Sequence, residues 1–317
     1  MELAAQAERV LGEIGAPDVI LATDMVNVPA WLALMRNRLP VRIPLLLYMH
    51  ENQLTYPRSP ADKTDHTYAM INWLSMLSAD HISFNSRYHH DSWFTAIRDL
   101  LQHFPDHNHL HRVEAVLRRT SILHVGIEPL PAAPSARRPD LPPLILWNQR
   151  WEYDKQPKHF FSLLYKLQAV GAPFRVAVAG ETFRRSPAEF EIARGRLHQS
   201  TVQWGYLENR ADYDSLLRQA DLVISTALHE FFGVSILEAV VAGVFPLLPR
   251  RLSYPELLPE EAHPLCLYGD DEELFEMTRR FLLQPNQLPE TVVRHVAQRF
   301  GWQALITQYD DLLDRLC

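Results

Sequence analysis

Glu230 and Glu238, with seven residues between them, bracket the run His229-Glu230-Phe231-Phe232-Gly233-Val234-Ser235-Ile236-Leu237-Glu238. The apolar segment just before it, Asp221-Leu222-Val223-Ile224-Ser225-Thr226, reads as a buried strand of a parallel sheet. From Val234 to 242 the pattern is helical and almost wholly apolar, so Glu238 has little polar face to carry it into water. A carboxylate there without partners is costly, and it is expected to meet a ligand or a hydrogen-bonding neighbour. Glu230 lies in the loop ahead of the helix, where Gly233 lets backbone approach a ligand closely. Ligands of open α/β sheets sit at the carboxyl ends of the strands, and free helix N–H groups there favour anions. Two carboxylates around such a helix start suit a ligand with both hydroxyls and phosphate, as a nucleotide sugar has. Taken singly, Glu238 could cap a neighbouring loop and Glu230 could be solvated.

A second group is Trp147-Asn148-Gln149-Arg150-Trp151-Glu152-Tyr153-Asp154-Lys155, which follows another strand-like segment. Arg150 and Lys155 would leave one strand end within a single loop. A diphosphate needs fixed positive charge, the more so as a departing phosphate gains negative charge. Arg offers a planar fork and Lys a compact point charge. Tyr48-Met49-His50-Glu51-Asn52-Gln53 ends a strand in the first part of the chain. His50 could hydrogen-bond a sugar hydroxyl or a leaving oxygen, and Glu51 could position an acceptor. Gly180 and Gly205 end further strands, either as turns or to give a nucleotide room.

Other patterns carry less. Asp212-Tyr213-Asp214 resembles a metal-binding pair but opens a helix, where acids complement the dipole. The histidine-rich stretch 103–111 lacks an accompanying cysteine or carboxylate constellation, so no metal site is expected. No serine or cysteine sits in a nucleophile-elbow pattern.

The elements that must position these residues alternate regularly. Strands are expected at 19–23, 45–48, 81–84 and 122–125, then at 144–147, 174–179, 202–204, 222–226, 244–248 and 265–268. Helical patterns fall at 67–77, 90–103, 158–170, 213–219 and 272–283. Prolines at 129, 131, 134, 139, 142 and 143 can continue neither helix nor central strand. The expected organisation is therefore a first domain over 1–128, a semi-rigid linker over 129–143 and a second domain over 144–317. Alternation of this kind implies doubly wound parallel sheets, and a cleft between two such domains is a favoured ligand site.

At 317 residues the chain has room for two domains, and 47% hydrophobic with 22% charged residues is the composition of a globular protein. A net charge of −7 argues against a protein that coats nucleic acid, though not against a local basic patch. No segment reaches the apolar length of a membrane span, and no leader peptide is visible. Cys266 and Cys317 have no metal spacing, which fits a reducing cytoplasm.

Together the motifs carry a resemblance. Glu230 and Glu238 form the Glu-x7-Glu signature of retaining, metal-independent glycosyltransferases of the two-domain GT-B fold. More narrowly, His50-Glu51-Asn52-Gln53-Leu54-x-Tyr56-Pro57, Phe84-Asn85-Ser86, Pro105-Asp106-His107, Arg150-Trp151-Glu152, Gly180-Glu181-Thr182-Phe183, Trp204-Gly205-Tyr206-Leu207 and His229-Glu230-Phe231-Phe232-Gly233 resemble the tRNA-queuosine α-mannosyltransferase family. The resemblance implies transfer of mannose from GDP-mannose to the cyclopentenediol of queuosine in a tRNA anticodon, with no cofactor, metal or membrane. It implies that Arg150 and Lys155 hold the diphosphate, Glu238 the ribose hydroxyls, and Glu230 with the Phe232-Gly233 backbone the donor sugar, with Gly180 also on the donor side. His50 and Glu230 would be catalytic, and Glu51 and Asn52 would lie near the acceptor.

Members of that family usually begin with a further strand and a Gly-Gly-Ser-His-type loop. Here a polar, helix-like stretch follows Met1, and no glycine-rich strand-loop-helix precedes Val19. The expectation is a first-domain sheet short of its first strand, with an exposed edge. Two alternatives share these residues: a glycosyltransferase with a lipid or polysaccharide acceptor, and a non-catalytic nucleotide- or tRNA-binding remnant.

Overall fold

The structure, a computed structural model, describes residues 1–39, 42–57, 65–128, 130, 138, 140–181 and 188–317. Most of the proline-rich 129–143 stretch lies outside the described residues, as do Thr182 and Phe183. The chain divides into two compact units, Met1–Val125 with Leu305–Cys317, and Gly126–Ala304.

The first unit contains α1 (Glu2–Ile14), β1 (Ile20–Thr23), α2 (Val28–Met35), β2 (Leu45–Met49), α3 (Thr67–Ser78), β3 (His81–Phe84), α4 (Arg87–Gln102), α5 (Leu110–Leu117) and β4 (Thr120–Ile122). Its strands are all parallel, in the order β1-β2-β3-β4. All five residues of β2 are buried, as a strand covered on both faces must be. Leu45, Leu47, Ile82 and Phe84 pack with Trp73, Met76, Trp93 and Ile97 of α3 and α4 in one core. Among the described residues no strand precedes Ile20, and β1 is the sheet edge, with Leu21 58% exposed.

The fourth strand differs from its expected 122–125: it ends at Ile122. The Tyr48 hydroxyl donates to the Leu123 carbonyl at 2.6 Å, and the Tyr309 hydroxyl to the His124 carbonyl at 2.9 Å. Side chains thus take the carbonyls a longer ladder would have used.

The second unit contains β5 (Leu144–Trp147), α6 (Pro157–Ala169), β6 (Arg175–Val178), α7 (Ala188–Leu197), β7 (Thr201–Trp204), α8 (Arg210–Gln219), β8 (Leu222–Ile224), α9 (Val234–Val241), β9 (Phe245–Pro249), α10 (Tyr254–Leu257), α11 (His263–Cys266), β10 (Leu267–Tyr268), α12 (Asp271–Leu283) and α13 (Glu290–Phe300). Its six strands are parallel in the order β10-β9-β8-β5-β6-β7. The chain winds outward from β5 to β7, returns to β8 beside β5, and winds the other way. That reversal opens a crevice at the carboxyl ends of β5 and β8, where open α/β sheets bind ligands.

The last helix, α14 (Trp302–Leu316), was expected to belong to the second domain over 144–317. From Leu305 onward it groups with the first unit, not the second. Leu312 is buried with Leu46, Tyr48 and Leu123, and the Tyr309 hydroxyl is 3.3 Å from that of Tyr48. An amphipathic helix goes wherever its apolar face finds cover.

Candidate active site

The chain leaving β5 and the chain leaving β8 are stitched together by side chains. Gln149 Nε2 donates to Ser225 Oγ at 3.0 Å, and Thr226 Oγ1 to the Lys155 carbonyl at 2.8 Å. The Leu228 amide donates to the Asp154 carbonyl at 2.7 Å. β8 itself stops at Ile224 rather than running to Thr226, and the side chains of the next two residues bond the neighbouring loop.

Lys155 ends a 3₁₀ turn (Tyr153–Lys155), and only 6% of its side chain is exposed. Its ammonium donates to the His229 carbonyl at 2.7 Å and to Glu230 Oε2 at 3.3 Å, and lies 3.1 Å from Asp154 Oδ2. Burial works against the ammonium, while Glu230 and Asp154 favour it, and the balance raises its basicity. Lys155 is thus the centre of a buried cluster. Asp154, 1% exposed, was missed: its carboxylate makes no hydrogen bond among the described residues and has Lys155 as counter-charge. Burial, then Lys155, pushes the His229 imidazole down to about 4, so at neutral pH it carries no charge. The Phe232 amide donates to Glu230 Oε1 at 3.4 Å, and with Lys155 on its other oxygen this glutamate bridges the two loops.

Gly233 occupies the N-cap of α9 with φ of 97°, a left-handed conformation that itself calls for glycine. Gly180 has a different reason: a Cβ there would lie 2.2 Å from the Gln149 carbonyl oxygen, so close approach of backbone already demands it. Phe232 is buried with its ring 5.6 Å from that of Phe300, leaving its backbone for any ligand contact.

A pocket of about 360 Å³ is lined by Asn148, Gln149, Arg150, Gly180, Tyr206 and Arg210 among others. Arg150, with 45% of its side chain exposed, is the more open of the two cations; Glu152 lies 3.9 Å away. Lys155, Glu230, Phe232, Gly233 and Glu238 are not among the lining residues. Glu238 nevertheless reaches it through two lining residues: Arg210 Nη1 donates to Oε1 at 2.7 Å and the Tyr213 hydroxyl to Oε2 at 3.3 Å. The partner demanded by a carboxylate on an apolar helix is therefore supplied by α8. Burial foremost, then Glu238, raises the Tyr213 phenol far above its ordinary range, so it remains a donor. Asn209 caps α8, its side chain accepting from the Ala211 amide at 2.9 Å. Asp214 accepts from Arg210 Nε at 2.8 Å, which accounts for one half of the metal-like Asp-x-Asp.

His50, Glu51 and Asn52 belong to the first unit, just past β2. Asp24, after β1 and almost fully buried, accepts from the His50 amide at 2.9 Å, and the same oxygen is 3.2 Å from His50 Nδ1. The imidazole, with 48% of the side chain exposed, is thereby oriented by a carboxylate that sequence reasoning did not find. Asn85 Nδ2 donates to the His50 carbonyl at 3.1 Å, and Ser86 caps α4, so the Phe84-Asn85-Ser86 motif braces this loop. Asn52, expected near an acceptor, lies in the same loop. It is fully buried, and its Oδ1 accepts from the Leu54 amide at 2.8 Å, folding the loop on itself. Glu51 is half-buried and accepts from Gln53 Nε2 at 3.3 Å.

Comparison with known proteins follows this layout. Residues 2–127 match the model of the tRNA-queuosine alpha-mannosyltransferase N-terminal family, and residues 133–294 that of glycosyl transferases group 1. A Drosophila melanogaster tRNA-queuosine alpha-mannosyltransferase is 32% identical over 283 residues, which is 85% of this chain and 74% of that protein. A Xanthomonas campestris GDP-mannose:cellobiosyl-diphosphopolyprenol alpha-mannosyltransferase is 23% identical over 53% of this chain and 45% of its own length. In fold, the chain superposes on a sucrose-phosphate synthase from Thermosynechococcus elongatus with a TM-score of 0.72 at 16% identity, covering 99% of this chain and 77% of that one. It superposes on the Anabaena protein HepE, solved with UDP, with a TM-score of 0.69 at 17% identity, covering 99% and 82%. Two parallel α/β units of this kind make the GT-B fold, and the match across most of the chain makes it a glycosyltransferase of the tRNA-queuosine alpha-mannosyltransferase family.

Proposed function

We propose that the chain transfers mannose from GDP-mannose to a hydroxyl of the queuosine cyclopentenediol in a tRNA anticodon, with retention of the α configuration. The observation that carries the reading is the Lys155–Glu230 pair, 3.3 Å apart where β5 and β8 diverge, on the loop whose Arg150 lines the pocket. Arg150, and Lys155 when Glu230 turns to the sugar, supply the positive charge that a departing diphosphate requires. The bond from the anomeric carbon to the phosphate oxygen breaks, the bond to the acceptor oxygen forms on the same face, and the phosphate oxygen takes the acceptor proton. Glu230 and the Phe232-Gly233 backbone hold the sugar hydroxyls, Glu238 the ribose, and His50, oriented by Asp24, takes the second catalytic role. The charge on this reading comes from side chains rather than from a metal ion. A tRNA acceptor implies action in the cytoplasm or another compartment holding tRNA. No helix among the described residues is long and apolar enough to cross a membrane.

The test incubates the protein with queuosine-containing tRNA and GDP-mannose and weighs the released nucleoside. A hexose mass increment is expected; its absence with every nucleotide sugar offered, while the protein stays folded, removes the reading. Transfer to polyprenol-linked sugars in place of tRNA would establish the lipid-acceptor alternative.

A further inference from the structure

Glu238 is surrounded by more machinery than a ribose ligand needs. Arg210 Nη1 donates to Oε1 at 2.7 Å, and Arg210 Nε donates to Asp214 at 2.8 Å, so the guanidinium is itself held at two points. Tyr213 donates to Oε2 at 3.3 Å, and Asn148 Nδ2 donates both to the Tyr213 hydroxyl at 2.9 Å and to the Ser235 carbonyl at 2.8 Å. Each carboxylate oxygen has two acceptor positions. Each here has one filled by a side-chain donor from α8, leaving one per oxygen among the described residues.

Arg210 opens α8, and a cation in a helix's first turn opposes the helix dipole. Asp214, one turn on, pairs with one edge of the guanidinium, and Glu238, twenty-eight residues on, takes the other. Arg210, Tyr213 and Asn148 all line the 360 Å³ pocket. A vicinal diol offers two adjacent hydroxyl donors, which match two adjacent acceptor positions on a fixed carboxylate.

We infer that Arg210, with Tyr213, is a positioning residue that fixes the Glu238 carboxylate and so makes donor binding selective for an intact ribose diol. The inference rests on the assignment of a nucleotide-sugar donor to this pocket.

The experiment measures, by calorimetry on the full chain, the affinities for GDP and for 2′,3′-dideoxy-GDP. The unaltered protein is expected to prefer GDP by about tenfold to a hundredfold, the worth of hydrogen bonds to a charged acceptor. Glu238→Gln brings that ratio close to one. Arg210→Gln lowers it by about threefold or more while leaving the dideoxy affinity within about twofold, and Arg210→Lys restores part of it. A purely structural arginine would weaken both nucleotides alike, and an unchanged ratio in Arg210→Gln overturns the inference. Should that variant fail to fold, Tyr213→Phe removes the donor to Oε2 at nearly constant volume and is held to the same ratio. GDP bound no better than its dideoxy analogue by the unaltered protein overturns the inference and leaves the donor assignment standing. No binding of either nucleotide overturns both.

Discussion

Replacing Lys155 by methionine while leaving Asp154 and Glu230 in place is the sharpest test of the buried cluster. Lys155 and Asp154 show 6% and 1% of their side chains to solvent and lie 3.1 Å apart; Glu230 is 3.3 Å away on the other loop. At an effective dielectric of about 20, charges 3.1 Å apart attract by about 5 kcal/mol, which desolvation of the two ions largely offsets. The intact cluster is therefore worth little net, but a broken one is expensive. Lys155→Met leaves two carboxylates with no cation between them, one of them fully buried, at a cost of about 3–5 kcal/mol. Asp154→Asn leaves Lys155 with Glu230 and the His229 carbonyl, and costs about 1–3 kcal/mol. For a unit of this size each kcal/mol lowers the midpoint by about 2–4 °C, so Lys155→Met melts about 6–20 °C early. The double variant should cost less than the sum of the singles by about 1 kcal/mol or more, since with both positions neutral the turn no longer buries an unpaired charge. Thermal melts and urea titrations of the three variants give these values directly. If both single variants fell within about 0.5 kcal/mol of the parent, as surface changes do, or if Asp154→Asn cost more than Lys155→Met, the account of this cluster would be wrong.

Other expectations follow from the same geometry. Glu230→Ala abolishes hexose transfer, whereas Arg150→Ala weakens GDP binding by about tenfold to a hundredfold; unchanged behaviour in both, read by mass spectrometry and calorimetry, removes the site assignment. Asp24→Asn lowers kcat about tenfold with the donor KM unchanged, because the His50 ring loses the carboxylate 3.2 Å from its Nδ1; a KM effect alone would deny that orientation matters. The His229 imidazole, ordinarily near 6.5, is pushed to about 4, so the unfolded chain binds a proton there that the folded chain does not. Stability from this residue is complete above 6.5, falls with pH across the window and is lost below about 4, amounting to at most about 3 kcal/mol. His229→Gln should flatten the pH dependence of the melting temperature between pH 6.5 and about 4, and an unaltered slope would reject the assignment.

Much of this protein follows from local pattern. Residues 144–147 are a strand in the structure over the same residues, because a strand buried on both faces leaves an uninterrupted apolar run. The demand of Glu238 for a partner was also legible, since an apolar helix cannot solvate a carboxylate. Its partners were not: Arg210 and Tyr213 sit on another helix, brought over when β8 returns beside β5. An arginine in the first turn of a helix was the one trace of them in the sequence.

Spacing placed Arg150 and Lys155 on one loop but could not say that one is open and the other buried between two carboxylates. Asp24 is twenty-six residues from His50, and only the pairing of β1 with β2 puts them side by side. Gly180 showed its type but not its cause, which is the Gln149 carbonyl against it. The last helix had an apolar stripe and no address; Leu46, Tyr48 and Leu123 gave it one. Periodicity and residue type report what a segment must bury or pair. Which surface buries it, and which charge answers it, depends on strand order, and strand order is a property of the whole fold.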